Sequence, residues 1–346
     1  VEVIHDGFPW VKIIEQPRNY GPAYNRNIAA SMGRRKYIAF FDDDVFLKDQ
    51  DWLKRGVAHL ESNINIGQLA AMIMSGYDQD IILTCGIQGN GPTFGGAFYK
   101  RHQEFVLDKH KVSGKVLGAS TAGTIVRRDI FKLIGGFDPR YYYMSEDLDL
   151  SIRIHLVGYD VIYMPDMVAY HLESQAMQKR FQKKMYLYFR NSLFVLLEHY
   201  SMRHILRAVC RSQNFRLFDS VFWQMAKRFS RKRPIVFDER ITQAVSSKGW
   251  KVAAICGALA SVFLNLPRIL SKRYSVNRFR KRPRQYLLEI NEEMKTRLAL
   301  SLPVRSLIFQ VTNKCNADCK MCFLHDELNK PAELLTLKEI RLFTAS

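Results

Sequence analysis

Short apolar runs alternate with helical patterns through roughly the first 170 residues. Residues 11–14 read as a strand. Residues Pro22 to Met32 read as a helix, with proline in its first turn and Gly33 just past its end. The continuous apolar run Tyr37, Ile38, Ala39, Phe40, Phe41 predicts a strand buried on both faces. Residues 50–62 are helical, and further strands are expected at 81–84, 124–127 and 161–164. This alternation predicts an α/β sandwich with a largely parallel sheet. From about Gln178 the pattern becomes long and helical, over 179–200, 204–229 and 239–266, rich in Phe, Leu, Tyr, Lys and Arg. The apolar stretch 252–266, interrupted by Gly257, Ser261 and Asn265, is shorter than the about 20 residues a spanning helix needs, so a buried or interfacial helix is expected. A last strand-like segment, 306–312, leads into a cysteine cluster. The expected organisation is an α/β domain at 1–200, a helical basic extension at 201–300 and a partial third domain at 301–346.

Charge changes this picture more than composition does. Hydrophobic residues at 47% and charged residues at 25% are ordinary for a globular chain. The excess of 52 basic over 33 acidic side chains, a net charge of +19, implies an anionic partner. Between Arg268 and Arg284 there are eight basic residues and no acidic one. With amphipathic helices beside it, this run suits an anionic membrane surface or a solvated helical face. Nucleic acid is not expected, because no binding motif accompanies the charge.

The strand at 37–41 runs into Asp42, Asp43 and Asp44. Ligands of open α/β sheets sit beyond the carboxyl ends of strands. Three adjacent carboxylates there repel one another unless a cation offsets them, and Mg²⁺ or Mn²⁺ prefers such oxygen ligands. The alternative is a solvated acidic turn before the next helix. Farther on, Ser145 precedes Glu146, Asp147 and Asp149 at a helix start. Acidic residues there suit either capping or a general base. Tyr141, Tyr142 and Tyr143, just ahead, offer faces for a sugar or for the core.

The segment Asn19-Tyr20-Gly21-Pro22-Ala23-Tyr24-Asn25-Arg26-Asn27, followed by Phe40-Phe41-Asp42-Asp43-Asp44-Val45, resembles the family 2 glycosyltransferases of the GT-A fold. So do Gly135-Gly136-Phe137-Asp138, the run from Ser145 through Arg153, Gly158-Tyr159, and Pro165 followed by His171. The resemblance covers about residues 1–200. It implies an inverting, metal-dependent transfer from a nucleotide-sugar to a hydroxyl of a glycan or lipid-linked acceptor. It assigns Asp44, Asp42 and His171 to the metal, with Asp42 also facing the ribose. Asn19, Arg26, Asp42 and Asp43 line the donor site, Asp147 is the base and Glu146 orients the acceptor. It also implies that the first strand and a base-reading aspartate precede Val1, so the donor nucleotide is not inferred.

Six cysteines are unevenly spread. Cys85, Cys210 and Cys256 sit in apolar surroundings and read as buried thiols. Cys315, Cys319 and Cys322 form C-x3-C-x2-C, which suits a [4Fe–4S] cluster in a reducing cytoplasm; a zinc site with His325 is the rival. With Met321 and the preceding strand, the triplet resembles the start of a radical S-adenosylmethionine (β/α) barrel. That resemblance implies S-adenosyl-L-methionine as cofactor of the full-length protein. The expectation is a cytoplasmic glycosyltransferase, peripheral at the inner membrane face and fused to a radical domain. The alternatives are a radical enzyme whose first domain positions a sugar, and a non-catalytic sugar-binding module.

Overall fold

The computed structural model describes residues 7–79, 81–87, 108–172, 181–210 and 248–299. The chain divides into two compact units, 1–301 and 302–346, and every described residue lies in the first. The expected strand at 306–312, the Cys315, Cys319 and Cys322 loop and His325 lie outside the described residues, as do residues 211–247.

Seven strands form one sheet: β1 (Tyr37–Phe40), β2 (Val45–Phe46), β3 (Ile66–Ser75), β4 (Ile82–Thr84), β5 (Gly114–Lys115), β6 (Thr124–Arg127) and β7 (Asp160–His171). The order is β1-β6-β3-β7-β2, with β4 on β3 and β5 on β7. The expectation of a largely parallel sheet is corrected: β3–β7 is parallel and the other five pairings are antiparallel. The reason is topological. β1, β3 and β7 do point the same way, but β6 inserts between β1 and β3 in the opposite direction. Residues 11–14 form no strand; Val11 and Ile14 are exposed, without a partner strand to cover them.

Every residue of β3 is buried, and its side chains alternate between two faces. Ala70, Met72 and Met74 join the core beneath α1 (Pro22–Met32), α3 (Arg128–Leu133) and α4 (Glu146–Leu156). Leu69, Ala71 and Ile73 meet α2 (Trp52–Ser62) on the other face. Buried positions Trp52, Gly56 and Leu60 recur every four residues along α2, the spacing of one helical face. Gly56 has no side chain to keep Ile125 and Met167 away, so α2 sits low on the sheet. Full burial of a side chain such as Leu69 or Ile73 stabilises by roughly 1.5–3 kcal/mol.

All eleven residues of α4 are buried because it lies between the sheet and a layer of helices. Leu150 and Ile154 face the sheet core. Leu148, Ile152 and Leu156 face a second core with α5 (Phe181–His199), α6 (Met202–Cys210), α7 (Lys248–Phe279) and α8 (Tyr286–Ala299). The helical segment therefore packs on the sheet domain through α4. The helix expected to close at 266 continues through Pro267 to Phe279. The basic run is also corrected: four of its residues are engaged within the fold. Lys272 pairs with Asp138, Arg273 donates to the carbonyls of Leu197 and Tyr200, Arg282 pairs with Asp160, and Arg284 donates to the Glu198 carbonyl. Arg268, Arg278, Arg280 and Lys281 stay exposed. Cys85 is buried as expected, but Cys256 is exposed; the Cys210 side chain lies outside the described set. Among the described residues no helix is long and apolar enough to cross a membrane.

Candidate active site

After β1 the chain turns through Asp42 to Asp44, where Val45 N donates to the Asp42 carbonyl at 3.3 Å, and enters β2. β2 pairs with the end of β7, Val45 opposite His171, and Leu172 N donates to the Asp44 carbonyl at 2.9 Å. Two residue pairs of sheet thus join segments more than a hundred positions apart. His171 Nε2 lies 2.9 Å from Asp44 Oδ1 and 3.9 Å from Asp42 Oδ2. One ligand atom each from Asp42, Asp44 and His171 falls within 4.8 Å of the others. Two carboxylates and an imidazole, half-buried and open to solvent on one side, fit Mg²⁺ or Mn²⁺ with coordination positions left for phosphate oxygens. Asp43, the middle carboxylate, is exposed.

Arg26, on α1, links this cluster to the acidic helix start. Its Nη2 lies 2.5 Å from Asp42 Oδ1 and its Nη1 2.9 Å from Glu146 Oε1. Asn19 is exposed, and its Oδ1 accepts from Gly21 N at 2.9 Å, shaping the turn into α1. Gly21 has φ +86°, and a Cβ there would lie 2.5 Å from the Tyr142 carbonyl oxygen. Only glycine allows the turn before α1 to lie against the loop before α4.

That loop is unusual. Tyr142, Met144 and Ser145 have φ of 61°, 71° and 66°, a region that costs a non-glycine residue roughly 1–3 kcal/mol. Ser145 makes no side-chain cap, and α4 opens on backbone geometry. Glu146 and Asp147 are each 4% exposed. Burial, then the adjacent Asp147 charge, pushes Glu146 up to about 7 against the pull of Arg26. Glu146 Oε2 is buried without a hydrogen-bond partner among the described residues, while Asp147 Oδ1 accepts from Leu148 N at 2.8 Å. Tyr141 is fully buried against Phe194 and donates to Glu198 at 3.1 Å, so it belongs to the core, not to a sugar platform.

A second charged cluster escaped the sequence reading. Asp149, one turn beyond Glu146, accepts from His199 at 2.8 Å and Arg153 at 2.6 Å, and pairs with Lys272 at 3.0 Å. Arg140 bridges Asp138 at 2.5 Å and Glu198 at 2.7 Å. Burial, opposed by Lys272, raises Glu198 to about 7, and burial holds His199 down to about 4. Arg140 and Lys272 hold Asp138 down to about 2 against its burial. The only advance signal was acidic and basic residues recurring on helices that are otherwise apolar. Asn191 and Arg190, which hold the loop before α4, gave no signal beyond their place in a helical run.

Comparison with known proteins bears on the front of the chain. The chain is 24% identical over 164 residues to the O-antigen biosynthesis protein RfbC of Myxococcus xanthus, covering 46% of this chain and 12% of that one. It is 26% identical over 186 residues to an N-acetylglucosaminyl-diphospho-decaprenol L-rhamnosyltransferase of Mycobacterium tuberculosis (strain CDC 1551 / Oshkosh), covering 47% of this chain and 59% of that one. The chain thus spans less than two thirds of the length of these curated relatives. A solved structure of GalNAc-T7 with UDP, GalNAc and Mn2+ superposes with a TM-score of 0.44 at 17% identity, over 59% of this chain and 39% of that one. Residues 1–135, the stretch bearing Arg26 and the aspartate turn, match the family model described as Glycosyl transferase family 2.

Proposed function

We propose that this chain is a divalent-metal-dependent, inverting glycosyltransferase of the GT-A type, moving a sugar from a nucleotide-sugar donor to a hydroxyl acceptor. The observation that carries the reading is the Arg26 bridge, which sets a metal-ready carboxylate cluster beside a buried pair of carboxylates. Mg²⁺ or Mn²⁺ held by Asp44, His171 and Asp42 would offset the charge building on the leaving nucleoside diphosphate. Asp42, fixed by Arg26, faces the ribose, and Asn19 and Asp43 border the donor site. Asp147 takes the proton of the acceptor hydroxyl as that oxygen bonds to the anomeric carbon. The bond from that carbon to the diphosphate breaks, and its electron pair leaves with the nucleotide. Glu146 keeps its proton into the neutral range and offers Oε2 to orient the acceptor.

The functions named for the two relatives support a glycan or lipid-linked acceptor in cell-surface polysaccharide assembly. Peripheral contact with an anionic membrane at the cytoplasmic face is supported by α7, which has no acidic residue and exposes Leu259, Phe263, Leu264, Leu270 and Tyr274 beside Arg268 and Arg278. For the fused radical domain the support is the spacing of Cys315, Cys319 and Cys322 alone, as ligands of a [4Fe–4S] cluster used with S-adenosyl-L-methionine.

The test is release of nucleoside diphosphate from a panel of nucleotide-sugars, with an acceptor and with or without Mn²⁺. Metal-dependent release, lost in Asp44→Ala and in Asp147→Asn while Asp147→Asn still binds donor, supports the reading. Full activity in Asp147→Asn would remove the base assignment, and no turnover with any donor would favour a sugar-positioning module.

A further inference from the structure

Glu146 and Asp147 are reached through a loop that no neighbouring sequence preference stabilises. Three of its residues hold positive φ, none is glycine, and α4 has no side-chain cap. Something outside the loop must hold it, and α5 supplies that support. Asn191 is fully buried, and its Nδ2 donates to the carbonyls of Tyr141 at 2.9 Å, Tyr143 at 2.9 Å and Met144 at 2.6 Å. An amide has two N–H groups for these three acceptors, so one is shared. The other end of the same amide is locked: Asn191 Oδ1 accepts from Arg190 Nε at 2.9 Å and Nη2 at 2.8 Å. Arg190 Nη2 also donates to the carbonyls of Arg140 at 2.9 Å and Tyr141 at 3.0 Å. Of the five successive carbonyls from Arg140 to Met144, these two side chains serve four. The fifth, that of Tyr142, lies against Gly21 of the turn before α1.

We propose that Asn191, oriented by Arg190, is a positioning residue for sugar transfer. It holds the Tyr142–Ser145 backbone in its left-handed path, so that Glu146 meets Arg26 and Asp147 is presented beside it. The inference rests on the transferase reading above and adds a device for it: the acid–base pair is held from the helical layer, while the metal cluster is held from the sheet. Asn191 touches no substrate, and its effect runs through the backbone of the loop. A purely structural role would lower stability and every activity together. A positioning role separates them, because Asp44 and His171 are held together by the β2–β7 pairing and not by the loop.

The experiment uses the full chain in four forms: wild type, Asn191→Ala, Met144→Gly and the double variant. Glycine adopts positive φ without strain, so Met144→Gly removes part of what Asn191 must hold. In Asn191→Ala, kcat for transfer is expected to fall about 100-fold, the scale of a small misplacement of reacting groups, while donor KM and Mn²⁺–nucleotide affinity change less than about threefold. Met144→Gly in that background is expected to recover at least about fivefold of kcat, and alone to change kcat little. Amide hydrogen exchange at residues 142–149 is read on the same samples. It quickens in Asn191→Ala and slows again in the double variant. Nucleotide affinity lost in step with kcat, absence of glycine rescue, or unchanged exchange in Asn191→Ala each overturns the proposal. If the wild type turns over no donor, the transferase reading fails by itself, and the exchange result still decides whether Asn191 holds the loop.

Discussion

Two clusters in this protein each bring two carboxylates and a histidine within ligand distance, Asp42, Asp44 and His171 in one, Asp149, Glu198 and His199 in the other. Their side-chain chemistry is the same, and their surroundings are not. The first is half-buried at the edge of the sheet, and the guanidinium that pairs with Asp42 is shared with Glu146. The second is fully buried, and with Asp138 its three carboxylates face three cations, Lys272, Arg140 and Arg153. A cluster left with surplus negative charge and an open side can take a divalent cation. One already neutralised by fixed guanidinium and ammonium groups in a dry site gains nothing from a metal and works as a structural tie. Ligand geometry alone does not separate them; the charge balance does.

The comparison can be broken in four ways, the largest effect first. Asp44→Ala is expected to lower metal-dependent turnover by on the order of 10³-fold, about 4 kcal/mol, with little change in Tm. Asp149→Ala is expected to do the reverse, destabilising the fold by about 3–5 kcal/mol by stranding buried cations, as thermal or urea unfolding reads out. Saturating Mn²⁺ is expected to raise the wild-type unfolding free energy by about 2.7 kcal/mol at a hundred times Kd. That gain disappears in His171→Ala and survives in Asp149→Asn. A gain lost in Asp149→Asn and kept in His171→Ala would reverse the roles of the two clusters.

The last effect is a pH dependence. Burial holds Glu198 up to about 7 against an ordinary 4.5, so between those values the native state keeps a proton that the unfolded chain has lost. Wild-type stability therefore falls through this group as pH rises from 4.5 to 7. Glu198→Gln removes that loss. The Tm of the variant relative to wild type is expected to climb across the window and to be flat below 4.5 and well above 7.

Much of the sheet was legible because its strands leave short apolar runs, but β1, at the end of the described sheet, is buried on one face with Ala39 exposed, not on both as its run predicts. Residues 37–41 and 124–127 gave β1 and β6 nearly to the residue, and Pro22 with Gly33 marked the ends of α1. The aspartate turn was legible too, since three carboxylates after an apolar strand have few other uses. Strand direction was not. Nothing local in residues 124–127 says that β6 runs antiparallel between β1 and β3. The basic run from Arg268 to Arg284 misled in a similar way, because pattern alone does not tell a solvated arginine from one that donates to a buried carbonyl, as Arg284 does.

The sequence by itself determined the α/β class, the likeness of residues 1–135 to the family 2 model, and the residue types of the candidate site. These are local properties, carried by period, composition and short motifs. The tertiary structure alone decided which carboxylates stay open and which are neutralised, that Arg26 joins Asp42 to Glu146, and that Asn191 holds the loop between α3 and α4. Those outcomes depend on partners that the fold brings together, from 47 residues apart for Asn191 and Met144 to 120 for Arg26 and Glu146, and the desolvation that gives them their energies exists only once the helical layer has closed over α4.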